Sequence, residues 1–223
     1  MESGDERMKN TPPARLILVR HGETAWNLNE VYRGSVDVPL NQTGKRQAAA
    51  LGKALKDEKI TAVYSSPLSR AMDTAKAVAK HHGKKVVKAP ELTDICYGEW
   101  EGVSNEEIGK KHPDLVNQWK TAPETMRFPG GEDLAGVRKR AAGILKEAVD
   151  AHRGETIVLS SHRAVLKVLI LYCLRLGNER FWNVRLENAA YSAFDCRGGD
   201  FTLIKHNEYC HLKGIRDGVL GDF

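Results

Sequence analysis

Cysteine is scarce in this chain of 223 residues, and its four cysteines lie far apart at Cys96, Cys173, Cys196 and Cys210. No Cys-x-x-Cys pair occurs, so the spacing favours neither a zinc site nor a disulfide framework. The chain also lacks an apolar run of the roughly 20 residues that span a bilayer, and residues 1–10 are too polar for a signal peptide. We therefore expect free thiols, no membrane interaction and a location in the reducing cytoplasm.

Aromatic side chains are absent from the densest basic run, residues 80–85 (KHHGKK). Lysines and arginines outnumber acidic residues by 34 to 29, which gives a formal net charge of +5 and suits anionic partners. Nucleic acid is the obvious one, but single-stranded nucleic acid is usually bound on aromatic rings that stack against the bases. We therefore interpret the run as the solvated end of a helix and expect no nucleic-acid partner.

Internal repeats and low-complexity segments are absent as well, and the length suits one domain with a sizeable core. We expect this domain over residues 15–212, between a disordered tail over residues 1–14 and a C-terminal tail over residues 213–223. Residues 90–131 are rich in tryptophan and proline and show no regular periodicity. We interpret them as an insertion, which in an open α/β sheet commonly walls the crevice at the strand ends.

Elsewhere the apolar residues repeat the order strand, polar loop, helix. The predicted strands cover residues 15–19, 62–64 and 156–159, and the predicted helices cover residues 43–56, 68–80 and 164–174. This order predicts an α/β fold, a three-layer α/β/α sandwich with a mostly parallel sheet and the insertion over its active edge. Residues 190–195 and 201–205 additionally predict a hairpin.

Each of the three predicted strands is followed by residues with the chemistry of a phosphate site. Arg20 and His21 follow the first strand, Arg70 lies beyond the second, and His162 follows the third. Because the carboxyl ends of parallel strands open on one edge of a sheet, we expect these side chains to meet. Each residue alone would more often be structural, but two guanidinium groups and two imidazoles together predict a phosphate pocket.

The segments around these residues resemble the histidine phosphatases related to cofactor-dependent phosphoglycerate mutase. Residues 18–27 (LVRHGETAWN) are similar to the nucleophile motif, residues 65–71 (SSPLSRA) to the second arginine motif, residues 157–162 (IVLSSH) to the second histidine motif, and residues 97–102 and 130–132 to the insertion segments. The motifs stand in the order of the family and cover most of the chain.

The resemblance implies a phosphoglycerate mutase-like fold and phosphoryl transfer through a phosphohistidine, with no metal and no other cofactor. It implies that His21 is the nucleophile and that Arg20, Asn27, Arg70 and His162 hold the phosphoryl group. The physical chemistry agrees with these roles. Nearby guanidinium groups lower the pKa of His21 and keep it neutral, and cationic donors can stabilise the equatorial phosphoryl oxygens without a metal.

The leaving alcohol needs a proton, which the family supplies from a carboxylic acid, usually glutamate, shortly before residues 97–102. The matching residue here is Asp94, whose side chain is one methylene shorter, and Glu91 and Glu99 are the alternatives. We favour Asp94 and expect the phosphate dianion to raise its pKa, which would keep part of it protonated near neutrality.

Two arginines depart from the family pattern. Arg33 stands where the phosphatase branch often has glutamine, and Arg163 stands where a small residue is usual. If they line the pocket, they can bind a second anionic group of the substrate, since a guanidinium fork matches a carboxylate. The alternatives are that both arginines are exposed to solvent, or that Arg163 pairs with Glu132.

The sequence favours a phosphatase that passes the phosphoryl group from His21 to water. A mutase must shield its phosphoenzyme under a tight lid, and an insertion of about 40 residues is short for building one. A mutase and a non-catalytic phospholigand-binding protein on the same fold are the two alternatives. Three segments near the C-terminus, residues 181–182, 188–192 and 207–212, resemble the corresponding parts of metal-independent phosphoserine phosphatases. The expected partner is thus a small phosphorylated metabolite that bears a carboxylate, while monomer and homodimer both stay open.

Overall fold

The structure, a computed structural model, describes residues 12–215. The predicted tails lie outside these residues except for residues 12–14 and 213–215, and Ala14 belongs to the first strand rather than to a tail. In the described part of the chain, no helix is long and apolar enough to cross a membrane. The cytoplasmic location stays a prediction.

A six-stranded sheet forms the centre of the fold, in the order β3-β2-β4-β1-β5-β6. The strands are β1 (Ala14–Arg20), β2 (Ile60–Ser65), β3 (Val86–Lys88), β4 (Thr156–Ser161), β5 (Tyr191–Arg197) and β6 (Asp200–Glu208). Strands β1 to β4 are parallel to one another, and the hairpin β5–β6 adds antiparallel to β1. The predicted hairpin and the mostly parallel sheet are confirmed.

Helices cover both faces of this sheet. The α-helices of the described residues are α1 (Ala25–Leu28), α2 (Gln42–Ala54), α3 (Ser69–Ala79), α4 (Asn105–Lys111), α5 (Pro113–Thr121), α6 (Leu134–Ala151) and α7 (Arg163–Cys173), of which α2, α3, α6 and α7 pack on the sheet. Alternate residues of a strand point to opposite faces, so in β1 Ile17 packs on the side of α2 and α3, whereas Leu16 packs on the side of α6 and α7. The predicted three-layer sandwich is confirmed.

Strand β3 and helix α6 were missing from the prediction. Strand β3 has three residues at the edge of the sheet and no fully buried side chain, and its two valines are too short an apolar run to predict a strand. The signal for α6 is present in the sequence: Asp133 caps the helix by accepting a hydrogen bond from the Gly136 amide, and buried residues recur at helical spacing after it.

Residues 90–131 contribute no strand to the sheet. They form short helical turns together with α4 and α5, and they enclose an aromatic cluster in which Phe128 contacts Tyr97, Trp100 and Trp119 at ring-centroid distances of 4.8, 5.2 and 5.1 Å. This buried cluster anchors the segment against α6 and α7. The adjoining residues can thereby form a firm wall beside the strand ends.

Candidate active site

The carboxyl ends of β1, β2 and β4 lie side by side. Arg20 at the end of β1 pairs with Ser161 of β4, and the ring centroids of His21 and His162, the residues that follow these strands, are 5.2 Å apart. Arg70, in the first turn of α3, donates from Nε to Nδ1 of His162 at 3.1 Å. All four side chains are buried, so the expected meeting of these residues at one edge is what the structure shows.

His21 is held as a neutral imidazole with a defined tautomer. Its Nδ1 lies 2.7 Å from the carbonyl oxygen of Gly22, which can only accept, so Nδ1 carries the proton and Nε2 keeps its lone pair. Burial first, and then the positive charges of Arg70, Arg20 and Arg33, hold the pKa of His21 well below 6.5. The guanidinium groups act as predicted, but burial contributes more.

His162 is neutral for the same reasons, since burial, Arg70 and His21 all hold its pKa well below 6.5. Because its Nδ1 accepts from Arg70, the proton of the ring lies on Nε2, which donates to Oγ of Ser66 at 2.8 Å. Both ring nitrogens thus have protein partners. A direct contact between His162 and a phosphoryl group requires one of these partners to be exchanged.

Arg70 is completely buried and links several parts of the site. Besides His162, its guanidinium donates to the carbonyl oxygens of Val36 and Gly34, each at 2.8 Å, and to Oδ2 of Asp94 at 3.3 Å. Four of its five N–H groups therefore have protein partners in these hydrogen bonds, and the remaining one is on Nη1. Arg70 combines a fixed positive charge with the role of tying the loop at residues 34–36 to the strand ends.

Asp94 is the one of the three candidate acids that lies in the pocket. Its side chain is buried, with Oδ1 accepting from the Ile95 amide at 3.0 Å and Oδ2 lying 3.7 Å from Nδ1 of His162, whereas Glu91 and Glu99 are exposed. Burial raises the pKa of Asp94 above 3.8 and outweighs the positive charges nearby, which lower it. A raised pKa was expected from a bound phosphate, but burial raises it without any ligand.

The wall of the pocket contains both unusual arginines. Arg33 is 8% exposed, and its Nε and Nη1 atoms are buried with no hydrogen-bond partner, so the alternative of a solvent-exposed Arg33 is wrong. Burial and the positive charge of Arg163 lower the pKa of Arg33 to about 10. Arg163 is half-buried and lines the same cavity, while the carboxylate of Glu132 binds Arg140.

Three polar residues line this cavity that the sequence interpretation did not assign to the site: Tyr32, Tyr97 and Asn105. Burial raises the pKa of both tyrosines, that of Tyr32 to about 12, so their hydroxyl groups stay protonated and can donate. Tyr97 opens the motif at residues 97–102, which was the available signal. Tyr32, on a loop, and Asn105, at the start of α4, are brought to the cavity only by the tertiary fold.

Asn27 and Arg20, the other two residues predicted to bind the phosphoryl group, are both buried. Oδ1 of Asn27 accepts from the backbone amide and the hydroxyl group of Thr24, at 2.9 and 3.0 Å, so its Nδ2 is the group that can donate to a ligand. Arg20 donates from Nη1 to the carbonyl oxygen of Leu186, and its charge acts on His21. In residues 12–215, no three histidine, cysteine or carboxylate side chains cluster in a way that would hold a metal ion.

A family model for the histidine phosphatase superfamily (branch 1) matches residues 16–209. The chain belongs to this superfamily. It is 36% identical over 200 residues to phosphoserine phosphatase 1 of Hydrogenobacter thermophilus, an alignment that covers 89% of this chain and 94% of the relative.

A second relative and a solved structure agree with this assignment. The metal-independent phosphoserine phosphatase of Arabidopsis thaliana is 29% identical over 203 residues, covering 90% of this chain and 84% of that protein. The structure of YhfR from Bacillus stearothermophilus superposes with a TM-score of 0.85 at 30% identity, covering 89% and 99% of the two chains. The predicted family, fold and enzyme class are confirmed, and the chain is a phosphatase.

Proposed function

We propose that this phosphatase acts without a metal and hydrolyses a small, carboxylate-bearing phosphomonoester through a phosphohistidine on His21. The observation that carries the proposal is the state of His21: a buried, neutral imidazole whose proton is engaged at Nδ1 and whose Nε2 is left as a nucleophile. Three arginines, Arg20, Arg33 and Arg70, place positive charge around it. A dianionic phosphoryl group suits these surroundings better than a protonated imidazole does.

In the first step, the lone pair of His21 Nε2 forms a bond to phosphorus while the bond between phosphorus and the leaving oxygen breaks. The leaving oxygen keeps the electron pair of that bond and takes a proton from the carboxyl group of Asp94. Burial favours this role because it raises the pKa of Asp94 and keeps the acid protonated to higher pH. The products are an alcohol, a carboxylate and a phosphohistidine.

In the second step, a water molecule attacks phosphorus and passes a proton to the carboxylate of Asp94. The bond between phosphorus and nitrogen breaks, its electron pair returns to Nε2, and inorganic phosphate leaves. In both steps negative charge spreads over the equatorial oxygens, where Arg20, Arg70 and Nδ2 of Asn27 can stabilise it. The two steps restore the enzyme and consume one water molecule.

The carboxylate in the substrate is proposed from Arg33. A buried guanidinium with two unpartnered nitrogen atoms is energetically costly unless a ligand satisfies them, and a carboxylate matches the guanidinium fork. Arg163 adds positive charge, and Tyr32 and Tyr97 add hydroxyl donors to the same cavity. Two relatives named phosphoserine phosphatases support a substrate of this kind.

A panel of phosphorylated metabolites, compared by kcat/KM in the presence of EDTA, tests the proposal. We expect turnover in EDTA, a preference for small carboxylate-bearing esters and an acid-labile phosphoenzyme that can be trapped by rapid quenching. Loss of activity in EDTA with recovery on addition of magnesium would contradict the metal-independent mechanism. A preference for esters without a second anionic group would contradict the substrate class alone.

A further inference from the structure

Arg140 of α6 binds the segment that carries Asp94, although it lies outside the pocket. Its Nη1 donates to the carbonyl oxygens of Glu91 and Thr93, each at 2.6 Å, and its Nη2 donates to the carbonyl oxygen of Asp94 at 3.2 Å. Its Nε and Nη2 also form a two-point ion pair with the carboxylate of Glu132, both at 2.9 Å. All five N–H groups of the guanidinium thus donate hydrogen bonds, three to the backbone of residues 91–94 and two to the carboxylate of Glu132.

Glu132 extends this arrangement to the other side of Asp94. Its Oε2 accepts from the amide of Cys96 at 3.0 Å, and its own amide donates to the carbonyl oxygen of Cys96 at 2.9 Å. The backbones of Gly131 and Cys96 also lie close together, since a Cβ atom added at Gly131 would lie 2.4 Å from the carbonyl oxygen of Cys96. Residues 91–96 are therefore held at both ends by the same ion pair.

The position of the backbone matters here because residues 93–96 belong to no helix or strand. No ladder of backbone hydrogen bonds fixes Asp94, and an aspartate side chain has only two torsions with which to correct an error in the main chain. The carboxyl group of Asp94 therefore follows its backbone closely. A shift of about 1 Å at a reacting group can cost on the order of 10²-fold in rate.

We propose that Arg140 and Glu132 are positioning residues for Asp94 that set the distance between its carboxyl group and the leaving oxygen. This inference rests on the proposed role of Asp94 as the acid. Arg140 also places positive charge near His162, where it contributes to the low pKa of that ring. A purely electrostatic role and a positioning role make different demands on the side chain, because lysine keeps the charge but cannot reproduce the fork.

The test compares Arg140→Lys with Arg138→Lys, a matched change on the same helix at a half-buried arginine that binds the Leu176 carbonyl oxygen and Asn178 instead. The two substrates are β-glycerophosphate, whose alcohol needs a proton to leave, and p-nitrophenyl phosphate, which does not. For Arg140→Lys we expect kcat on β-glycerophosphate to fall by about 10-fold to 100-fold, with p-nitrophenyl phosphate changing by less than about 3-fold. Arg138→Lys should leave both unchanged.

A second arm asks whether the effect passes through Asp94. In the Asp94→Asn background, Arg140→Lys should cause no further loss on β-glycerophosphate, because the group to be positioned is gone. Should Arg140→Lys fail to fold, Glu132→Gln, which leaves the guanidinium bonds to the three carbonyl groups in place, should give the same pattern at smaller amplitude.

The following outcomes would overturn the proposal. Full activity of Arg140→Lys would mean that charge alone is required, and an equal loss on both substrates would mean a general structural role. If Asp94→Asn itself fails to distinguish the two substrates, the acid is misassigned and both proposals fall. If Asp94→Asn distinguishes them and Arg140→Lys does not, the proposed function stands and only the positioning role is lost.

Discussion

The two halves of the pocket are built in different ways. The phosphate end comes from adjacent strand ends. The register of β1 with β4 places His21 beside His162, and His162 accepts a hydrogen bond from Arg70. The wall comes from the loop that carries Arg33, from residues 90–131 and from Arg163 at the start of α7. Two nitrogen atoms of Arg33 are buried there without a hydrogen-bond partner. The sheet thus provides the part that transfers phosphate, whereas the irregular segments provide the part that can select the substrate. The difference predicts that changes at the first end abolish chemistry and changes at the second alter preference.

The largest effect is expected for His21→Ala at the phosphate end. Without the imidazole no phosphoenzyme can form, so turnover of every substrate should fall to the background rate and no phosphohistidine should be trapped. Rates on p-nitrophenyl phosphate and quenched phosphoenzyme measure this. Residual turnover at more than a small fraction of the wild-type rate would show that another nucleophile operates.

The next effect concerns Asp94, which lies where the two halves meet. Asp94→Asn should slow an ester with a poor leaving group by roughly 10²-fold, and an activated aryl phosphate much less. For the wild-type enzyme, kcat/KM on the poor leaving group should fall as pH rises through the raised pKa of Asp94, because the acid is then deprotonated. Asp94→Asn should remove this limb of the profile. Equal losses on both esters would point to a structural role.

A smaller and more selective effect is expected for Arg33 in the wall. Arg33→Gln should lower kcat/KM for a carboxylate-bearing phosphate by about 1.5 to 3 kcal/mol, the usual contribution of a hydrogen bond to a charged group, mainly through KM. Activity on p-nitrophenyl phosphate should change little. Arg163→Gln should act in the same direction but less, since Arg163 is only half-buried. Parallel losses on both substrates would show that the wall does not select a carboxylate.

The smallest effect is on stability, and it tests the buried histidines of the phosphate end. The pKa values of His21 and His162 are held well below 6.5 in the folded protein, so below about pH 6.5 the unfolded chain binds more protons and the free energy of unfolding decreases. We expect Tm to fall between about pH 7 and about pH 5. Asp94, with its raised pKa, acts in the opposite direction, so Asp94→Asn should steepen the fall. A Tm that rises on acidification would contradict the neutral state of the histidines.

Much of the phosphate end could be predicted because it depends on local patterns. Apolar runs marked β1, β2 and β4, and the polar residues after them had to share an edge once the strands were parallel. The order of motifs identified His21, Arg70 and His162. The wall was harder to predict from the sequence. The exposure of Glu91 and Glu99 and the burial of Asp94 depend on how residues 90–131 pack on α6 and α7.

By itself, then, the sequence determined the family, the sheet with its helices and the residues that can carry phosphoryl transfer, because strand periodicity and strand-end chemistry are local properties. Only the tertiary structure decided which nitrogen of His21 is available, through the contact of Nδ1 with the Gly22 carbonyl oxygen. It also decided that Arg33 is buried and that Arg140 donates a hydrogen bond to the backbone of Asp94, 46 positions away in the chain. The burial of Arg33 and the bonds of Arg140 arise from contacts between distant segments, which no local pattern of residues encodes. The His21 contact joins adjacent residues, but it depends on the backbone at the end of β1, where the His21 amide donates to the carbonyl oxygen of Ser161.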